Sequence, residues 1–279
     1  MRVADLSAGA GGMLLGFRLA GHQPVFFCEN DPFAMEVVRA NFPILPGVRQ
    51  ISGLEPSSLP HPEVVCFAHP APLGHIVRIL GTVKPRAIVV EWTTPDLPEL
   101  QALGYEMYWE LMDAREFGLP QARKRHYLVA FRSDVHARLP FLAFPFPSGD
   151  RTKRTLADVL QKEAQPELSL PQSSIDSMTR HNEKVKGSGF RFKYRVFGPE
   201  SQTPAFPARY HKDGYDLIVN AGAGPRKLSV LECQRLMGFP DEYSIPLSRT
   251  QAYRLLGGAT CPPVAAAIAT ELGGWLSPV

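Results

Sequence analysis

Apolar and polar positions follow two different periods over the first half of the chain. Short apolar runs of strand type occur at 2–6, 24–28, 63–68, 86–90 and 126–131, and between several of them apolar residues recur three and four apart. The run at 2–6 leads directly into Ser7-Ala8-Gly9-Ala10-Gly11-Gly12 and an apolar helix through Leu19. Pro32 is placed to open a second helix ending near Asn41, and 74–83 carries a third helical period. Strands separated by helices predict a doubly wound α/β domain, with a mostly parallel sheet and helices on both faces.

From about 135 to 226 the pattern changes. Prolines, glycines and basic residues dominate, and strand-like pieces such as 215–220 have no helical period between them. This predicts a smaller, β-rich domain. Ser229-Val230-Leu231-Glu232 has the form of a capping box opening a helix through Met237, and a last helix is expected near 263–272. The expected division is therefore 1–134 plus about 249–279 for the α/β domain, and about 135–248 for the second.

Composition narrows the class further. A hydrophobic share of 44% with 20% charged residues excludes a largely disordered chain. No apolar run approaches the ~18–20 residues of a membrane helix, and Asp5 interrupts the place where a signal peptide would begin its apolar core. Cys28, Cys66, Cys233 and Cys261 lie far apart without CxxC or zinc spacing, so a reduced cytoplasmic setting without a metal site is expected. The net charge of +3 permits a nucleic-acid partner without requiring one.

A strand entering Gly9-Ala10-Gly11-Gly12 and then a helix has the geometry of a pocket for a nucleotide or for S-adenosylmethionine. Glycines let a ligand approach the backbone, and the helix N-terminus favours its negative group. Glu29, ending the next strand, is placed to accept two ribose hydroxyls. A tight turn without a ligand and a solvated strand-end carboxylate are the plain alternatives.

These pieces stand in the order of a known family. Asp5-Leu6-Ser7-Ala8-Gly9-Ala10-Gly11-Gly12 with Gly16-Phe17, then Cys28-Glu29-Asn30-Asp31, resemble the first two motifs of the DNA cytosine-5 methyltransferases. Gln121-Ala122-Arg123-Lys124-Arg125 is similar to their QxRxR motif, and Arg226-Lys227-Leu228-Ser229 with Glu232 to the motif supporting the recognition domain. Gly257-Gly258-Ala259-Thr260-Cys261-Pro262-Pro263 is similar to the last motif, which folds back on the cofactor pocket. The resemblance covers nearly the whole chain. It implies a Rossmann-like S-adenosylmethionine-dependent methyltransferase domain, a target-recognition domain and double-stranded DNA as partner. It also implies a cysteine thiolate attacking C6 of a flipped cytosine.

The match breaks at that nucleophile. Ala71 falls where the cysteine belongs, and a methyl group has no lone pair to attack with. Cys66, five residues upstream in an apolar strand, reads as a buried core residue. After Pro72 the chain goes directly into the next helix, so the family's closing loop is expected to be missing. Glu91 keeps the carboxylate that contacts the base in relatives, and a base contact and a relic are both open readings. Arg123 and Arg125 lie beside the target base in active relatives; here a phosphate contact and a bridge to strand-end carboxylates are both open. On the cofactor side the resemblance assigns Asp5, Ser7, Gly9, Gly11, Glu29, Gln50 and Gly258. Ser7 replaces a phenylalanine that packs on adenine, Gln50 an aspartate and Gly258 an asparagine, which predicts weakened binding of S-adenosylmethionine or S-adenosylhomocysteine.

The recognition region departs less. Arg180, Lys184, Lys186, Arg191, Lys193 and Arg195 face only Glu183 in acid, and Phe190, Phe192 and Tyr194 alternate with three of the bases. On a strand that alternation separates rings from charges, suiting phosphate and guanine contacts. A solvated strand face over a core gives the same pattern. The stretch with Arg209, Tyr210, Lys212 and Asp213 resembles the recognition domains of enzymes acting at CC-W-GG, CC-N-GG or CCGG. The reading favoured is a homologue without catalysis that binds DNA. The alternatives are an active or partner-complemented methyltransferase, with an active methyltransferase subunit as partner, and a small-molecule sensor or interaction scaffold.

Overall fold

The computed structural model describes residues 1–68, 71–92, 97–138, 143–150, 152–163, 165–185 and 194–276. Seven strands form the central sheet: β1 (Arg2–Asp5), β2 (Gln23–Cys28), β3 (Gly47–Val48), β4 (Val64–Ala68), β5 (Ala87–Trp92), β6 (Tyr105–Asp113) and β7 (Lys124–Arg132). Their order is β3-β2-β1-β4-β5-β7-β6. The pairs among β1 to β5 are parallel, and β7 alone runs against its neighbours β5 and β6.

Period-two patterning places the core on both faces. Val3, Val64, Cys66, Ala87 and Val89 join one buried cluster, while Ala4, Val65, Phe67, Ile88 and Val90 join the other. The second face is covered by helices α3 (Leu73–Val83) and α4 (Pro98–Ala102), which bury Ile76, Ile79, Leu80 and Leu100 there. The first face carries α1 (Gly12–Leu19) and α2 (Pro32–Asn41). α2 starts where expected because Pro32 needs no helical donor and the Asp31 carboxylate accepts the Phe33 N–H at 2.9 Å.

The region 135–248 holds helix α5 (Gln172–Val185), which has too few apolar residues to show a period in the sequence. Its described strands are two-residue pieces: Val196–Phe197 pairs with Ile218–Val219, and Thr203–Pro204 pairs with Gln121–Ala122. The extended run expected at 190–193 lies outside the described residues. The capping box forms as expected and opens α6 (Val230–Leu236).

The chain closes with α7 (Arg249–Gly258) and α8 (Pro262–Leu276). Arg249–Leu276 is the one helical stretch among the described residues with the length and apolarity of a membrane span, but the helix is interrupted at 259–261 and 61% of its most apolar window is buried. α8 packs on α1, where Gly16 leaves the space: a Cβ there would lie 2.5 Å from that of Ala265.

Candidate functional site

The end of β1 and the turn after it build a cleft of about 320 Å³, toward the lower end of the ~300–1,000 Å³ usual for small-molecule sites. Gly9 and Gly11 adopt φ of +54° and +81°, a region that favours glycine. Glu29 fixes this turn: its carboxylate accepts the Gly9 N–H at 2.6 Å and the Asp31 N–H at 2.8 Å. Ser7 ties β1 to β4, its hydroxyl donating to the Ala68 carbonyl at 3.1 Å and accepting the Ala68 N–H at 2.7 Å.

Of the expected cofactor residues, Ser7, Gly9, Glu29 and Gly258 line this cleft. Three do not. Gln50 is exposed and off the cleft, while Arg49 and Ile51 on either side line it. Gly11 faces the protein: a Cβ would stand 2.4 Å from the Tyr243 hydroxyl, which donates to the Ala10 carbonyl at 2.6 Å. Asp5 is 1% exposed and lies outside the lining; one oxygen accepts the Ser7 N–H at 3.0 Å and the other has no partner. Burial pushes the Asp5 carboxyl up to about 7, against the Ser7 hydrogen bond, and nearby Glu29 adds to the rise. Burial raises Glu29 as well, despite its backbone donors.

Phe33 and Arg254 also line the cleft and were not anticipated, and Thr260 lines it as part of the last motif. Phe33 had a signal in the sequence, a large apolar residue in the first turn of α2 where burial in the core is least expected. Arg254 approaches from α7 and pairs with Asp31 at 2.9 Å.

A second cluster sits at the end of β5. Glu91, 6% exposed, accepts the Tyr127 hydroxyl at 3.0 Å and lies 3.5 Å from the Arg125 guanidinium. Tyr127 faces Glu91 because the two are register partners across β5 and β7. Glu91 also pairs in register with Ala68, so Ala71 follows the neighbouring strand end. Residues 69–72 alone separate β4 from α3. All four thiols are buried. Burial holds Cys66 and Cys233 well above the ordinary thiol value and pushes Cys28 and Cys261 up to about 12.

Two expected contacts need correction. Arg123 is 3% exposed, and its guanidinium donates to the carbonyls of Phe206, Gly257 and Ala259, so it reaches neither solvent nor a strand-end carboxylate. Tyr210 is fully buried; its hydroxyl donates to the Leu217 carbonyl at 3.0 Å and accepts the Leu228 N–H at 2.7 Å. It is a core pillar, packed against Phe206 and Tyr253, and cannot touch DNA. Arg209 and Lys212 beside it are exposed, as are Arg180 and Lys184 on α5 and Arg195. Lys186, Arg191 and Lys193 lie outside the described residues.

The family model for C-5 cytosine-specific DNA methylases matches residues 1–71 and 96–274. The chain belongs to this family. Among its methylase relatives, the Type II methyltransferase M.NlaX of Neisseria lactamica is 32% identical over 313 residues, covering 100% of this chain and 98% of the relative. The Type II methyltransferase M.SsoII of Shigella sonnei is 30% identical, covering 97% of this chain and 79% of the relative. The fold of this methylase-family chain is also that of a Spodoptera frugiperda DNMT2 variant, at a TM-score of 0.80 and 17% identity, covering 97% of this chain and 99% of that one. The Entamoeba histolytica methyltransferase EhMeth gives 0.80 and 15%, covering 100% and 99%.

The cofactor of C-5 cytosine methylases is S-adenosylmethionine, and the cleft fits its ribose end. Glu29 retains lone pairs beyond those its two N–H donors use, and a Cβ on Gly9 or Gly258 would enter open space. Phe33 and Ile51 supply apolar wall to the same cleft.

Proposed function

We propose that this methylase homologue binds duplex DNA and has lost methyl transfer. The observation that carries the reading is Ala71 at the end of a short β4–α3 connection, in a chain whose four thiols are all buried. The family match supports it from another side, since residues 72–95 fall outside the matched segments. In the alignment with M.NlaX, 313 positions against 279 residues leave at least 34 of the relative's positions without a counterpart.

Recognition rests on the exposed bases around Arg209 and Lys212, with CC-W-GG or CCGG as the candidate sites. We read the chain as the two units set out above, with Tyr210 and the buried Arg226–Glu232 ion pair supporting the recognition unit from within. In the cleft, Glu29 would hold the ribose of S-adenosylmethionine or S-adenosylhomocysteine. Without a ring at Ser7, affinity is lower than in active relatives by on the order of 1 kcal/mol or more.

Incubation with tritiated S-adenosylmethionine and duplex DNA is expected to leave no label in the DNA, both for the natural chain and for Ala71→Cys. A restored thiol alone has no segment to close behind the base. Incorporation above background by the natural chain would overturn the loss of catalysis, and incorporation by Ala71→Cys alone would overturn the missing segment as a second cause of it.

Arg209→Ala is expected to weaken binding to the preferred duplex by roughly 1–3 kcal/mol while changing a scrambled duplex much less. Equal losses on both duplexes would reduce Arg209 to a phosphate contact.

A further inference from the structure

Strand β6 ends the central sheet, with β7 as its one strand neighbour among the described residues. The hydrogen bonds at either end of that pair show which backbone groups face outward. The Gly104 carbonyl accepts the Ser133 N–H at 2.9 Å, and the Ala114 N–H donates to the Arg123 carbonyl at 2.9 Å. Both continue the unbroken register that runs from Tyr105 opposite Arg132 to Asp113 opposite Lys124. Every second residue of an antiparallel strand bonds a given neighbour, so Glu106, Tyr108, Glu110 and Met112 turn their backbone groups to β7. The N–H and C=O groups of Met107, Trp109 and Leu111 therefore point away from the sheet, and among the described residues nothing bonds them.

The side chains of this rim are open as well. Trp109 is 50% and Leu111 44% exposed, on the face where Tyr105 and Met107 join the cluster under α3 and α4. The His126 ring meets the Trp109 ring edge-on, with centroids 5.6 Å apart. Natural sheet edges are blunted by lysine, proline, a bulge or brevity. Residues 105–113 contain no lysine, arginine, proline or glycine and pair without a bulge. The strand runs for nine residues, against the ~5–6 usual for strands.

We propose that β6 pairs antiparallel with β6 of a second copy of this chain, across a two-fold axis at Trp109. The sequence of the strand selects both the occupant and the register. Centring on Trp109 sets it opposite its own counterpart and sets Met107 opposite Leu111 of the second copy. These residues carry the outward groups, so each pair exchanges two backbone hydrogen bonds. On the other face Glu106 falls opposite Met112, and Glu110 opposite Tyr108, whose hydroxyl is bonded to His136 at 2.6 Å. Moving the axis by one residue spoils this. An axis at Tyr108 sets Glu106 against Glu110, and an axis at Glu110 sets that residue against itself; like charges directly opposite are destabilising. In the favoured register the apolar faces of the two seven-stranded sheets run together and Trp109 and Leu111 leave water. The interface does not depend on the DNA-binding reading.

Sedimentation equilibrium over a range of concentrations tests the pairing. The natural chain is expected to form a dimer with a Kd on the order of 10 µM or tighter. Trp109→Lys places two like charges on the axis and is expected to weaken the dimer at least about tenfold. An introduced thiol then reads the register, and keeps the test standing if the lysine variant does not fold. In Trp109→Cys the two new thiols meet on the axis at a Cα separation of about 5.5 Å, within disulfide reach, and air oxidation is expected to join the chains. In Glu106→Cys they stand about 20 Å apart and stay reduced. The four natural thiols are buried and do not compete.

A single-chain mass at every concentration overturns the proposal, as does a dimer that Trp109→Lys leaves unchanged. So does a dimeric natural chain whose Trp109→Cys variant does not cross-link, or cross-links no faster than Glu106→Cys.

Discussion

Glu232→Gln is expected to cost about 3–5 kcal/mol of folding stability, the usual penalty for removing one partner of a buried ion pair. Arg226 donates to both Glu232 oxygens at 2.7 Å, with side chains only 5% and 1% exposed. The same carboxylate accepts the Gln161 N–H at 2.9 Å and the Ser229 N–H at 2.8 Å. Burial alone would raise this carboxyl, but the Arg226 hydrogen bonds, the two N–H donors and the arginine's charge outweigh it and hold it below the ordinary value. Glutamine has the same shape and turns one acceptor into a donor that must face an N–H. Arg226 is then left buried without its counter-charge. The loss is a large share of the ~5–15 kcal/mol available to a typical domain. Urea unfolding at neutral pH checks it, and a change under about 1 kcal/mol would contradict the role given to the pair.

The second large effect concerns pH. The Asp5 carboxyl is raised from 3.8 to about 7 in the folded chain. Below the unfolded value both states hold the proton and the group is neutral in its effect. As pH rises from about 4 to 7 the unfolded chain ionises first, so folding loses stability across that window and levels off above it. The full loss is on the order of 4 kcal/mol. Asp5→Asn keeps the oxygen that accepts the Ser7 N–H and removes the ionisation. Relative to the natural chain it is expected to be about equally stable near pH 4 and clearly more stable at pH 8. Urea midpoints at the two pH values measure this, and parallel profiles for the two proteins would show that Asp5 ionises freely in the fold.

Much of the α/β framework was legible because its signals are local. Asp31-Pro32 marks the start of α2, the glycine turn starts α1, and the apolar runs gave β1, β2, β4, β5 and β7. β6 was missed: Glu106 and Glu110 interrupt its apolar residues, and only the alternate set Tyr105, Met107, Trp109 and Leu111 reveals one apolar face. Burial was the harder quantity. Tyr210 sits between Arg209 and His211, so its surroundings in sequence suggest a surface, while its hydrogen bonds reach Leu217 and Leu228. Arg123 lies in a charged run, and the carbonyls it bonds come from segments distant in sequence. Gly11 was assigned to a ligand because a glycine allows close approach of any neighbour; here the neighbour is Tyr243. Gln50 stands between Arg49 and Ile51, which line the cleft, and the two-residue strand β3 gives too short a pattern to set that register.

A DNA reader without chemistry must bind duplex DNA site-selectively. Fluorescence anisotropy on duplexes carrying CC-W-GG, CCGG or a scrambled site, at two salt concentrations, separates recognition from charge attraction. A preference of at least tenfold, or ~1.4 kcal/mol, for one of the two sites over the scrambled duplex is expected at both salts. No binding, or a weak salt-sensitive affinity equal for all three duplexes, would contradict it.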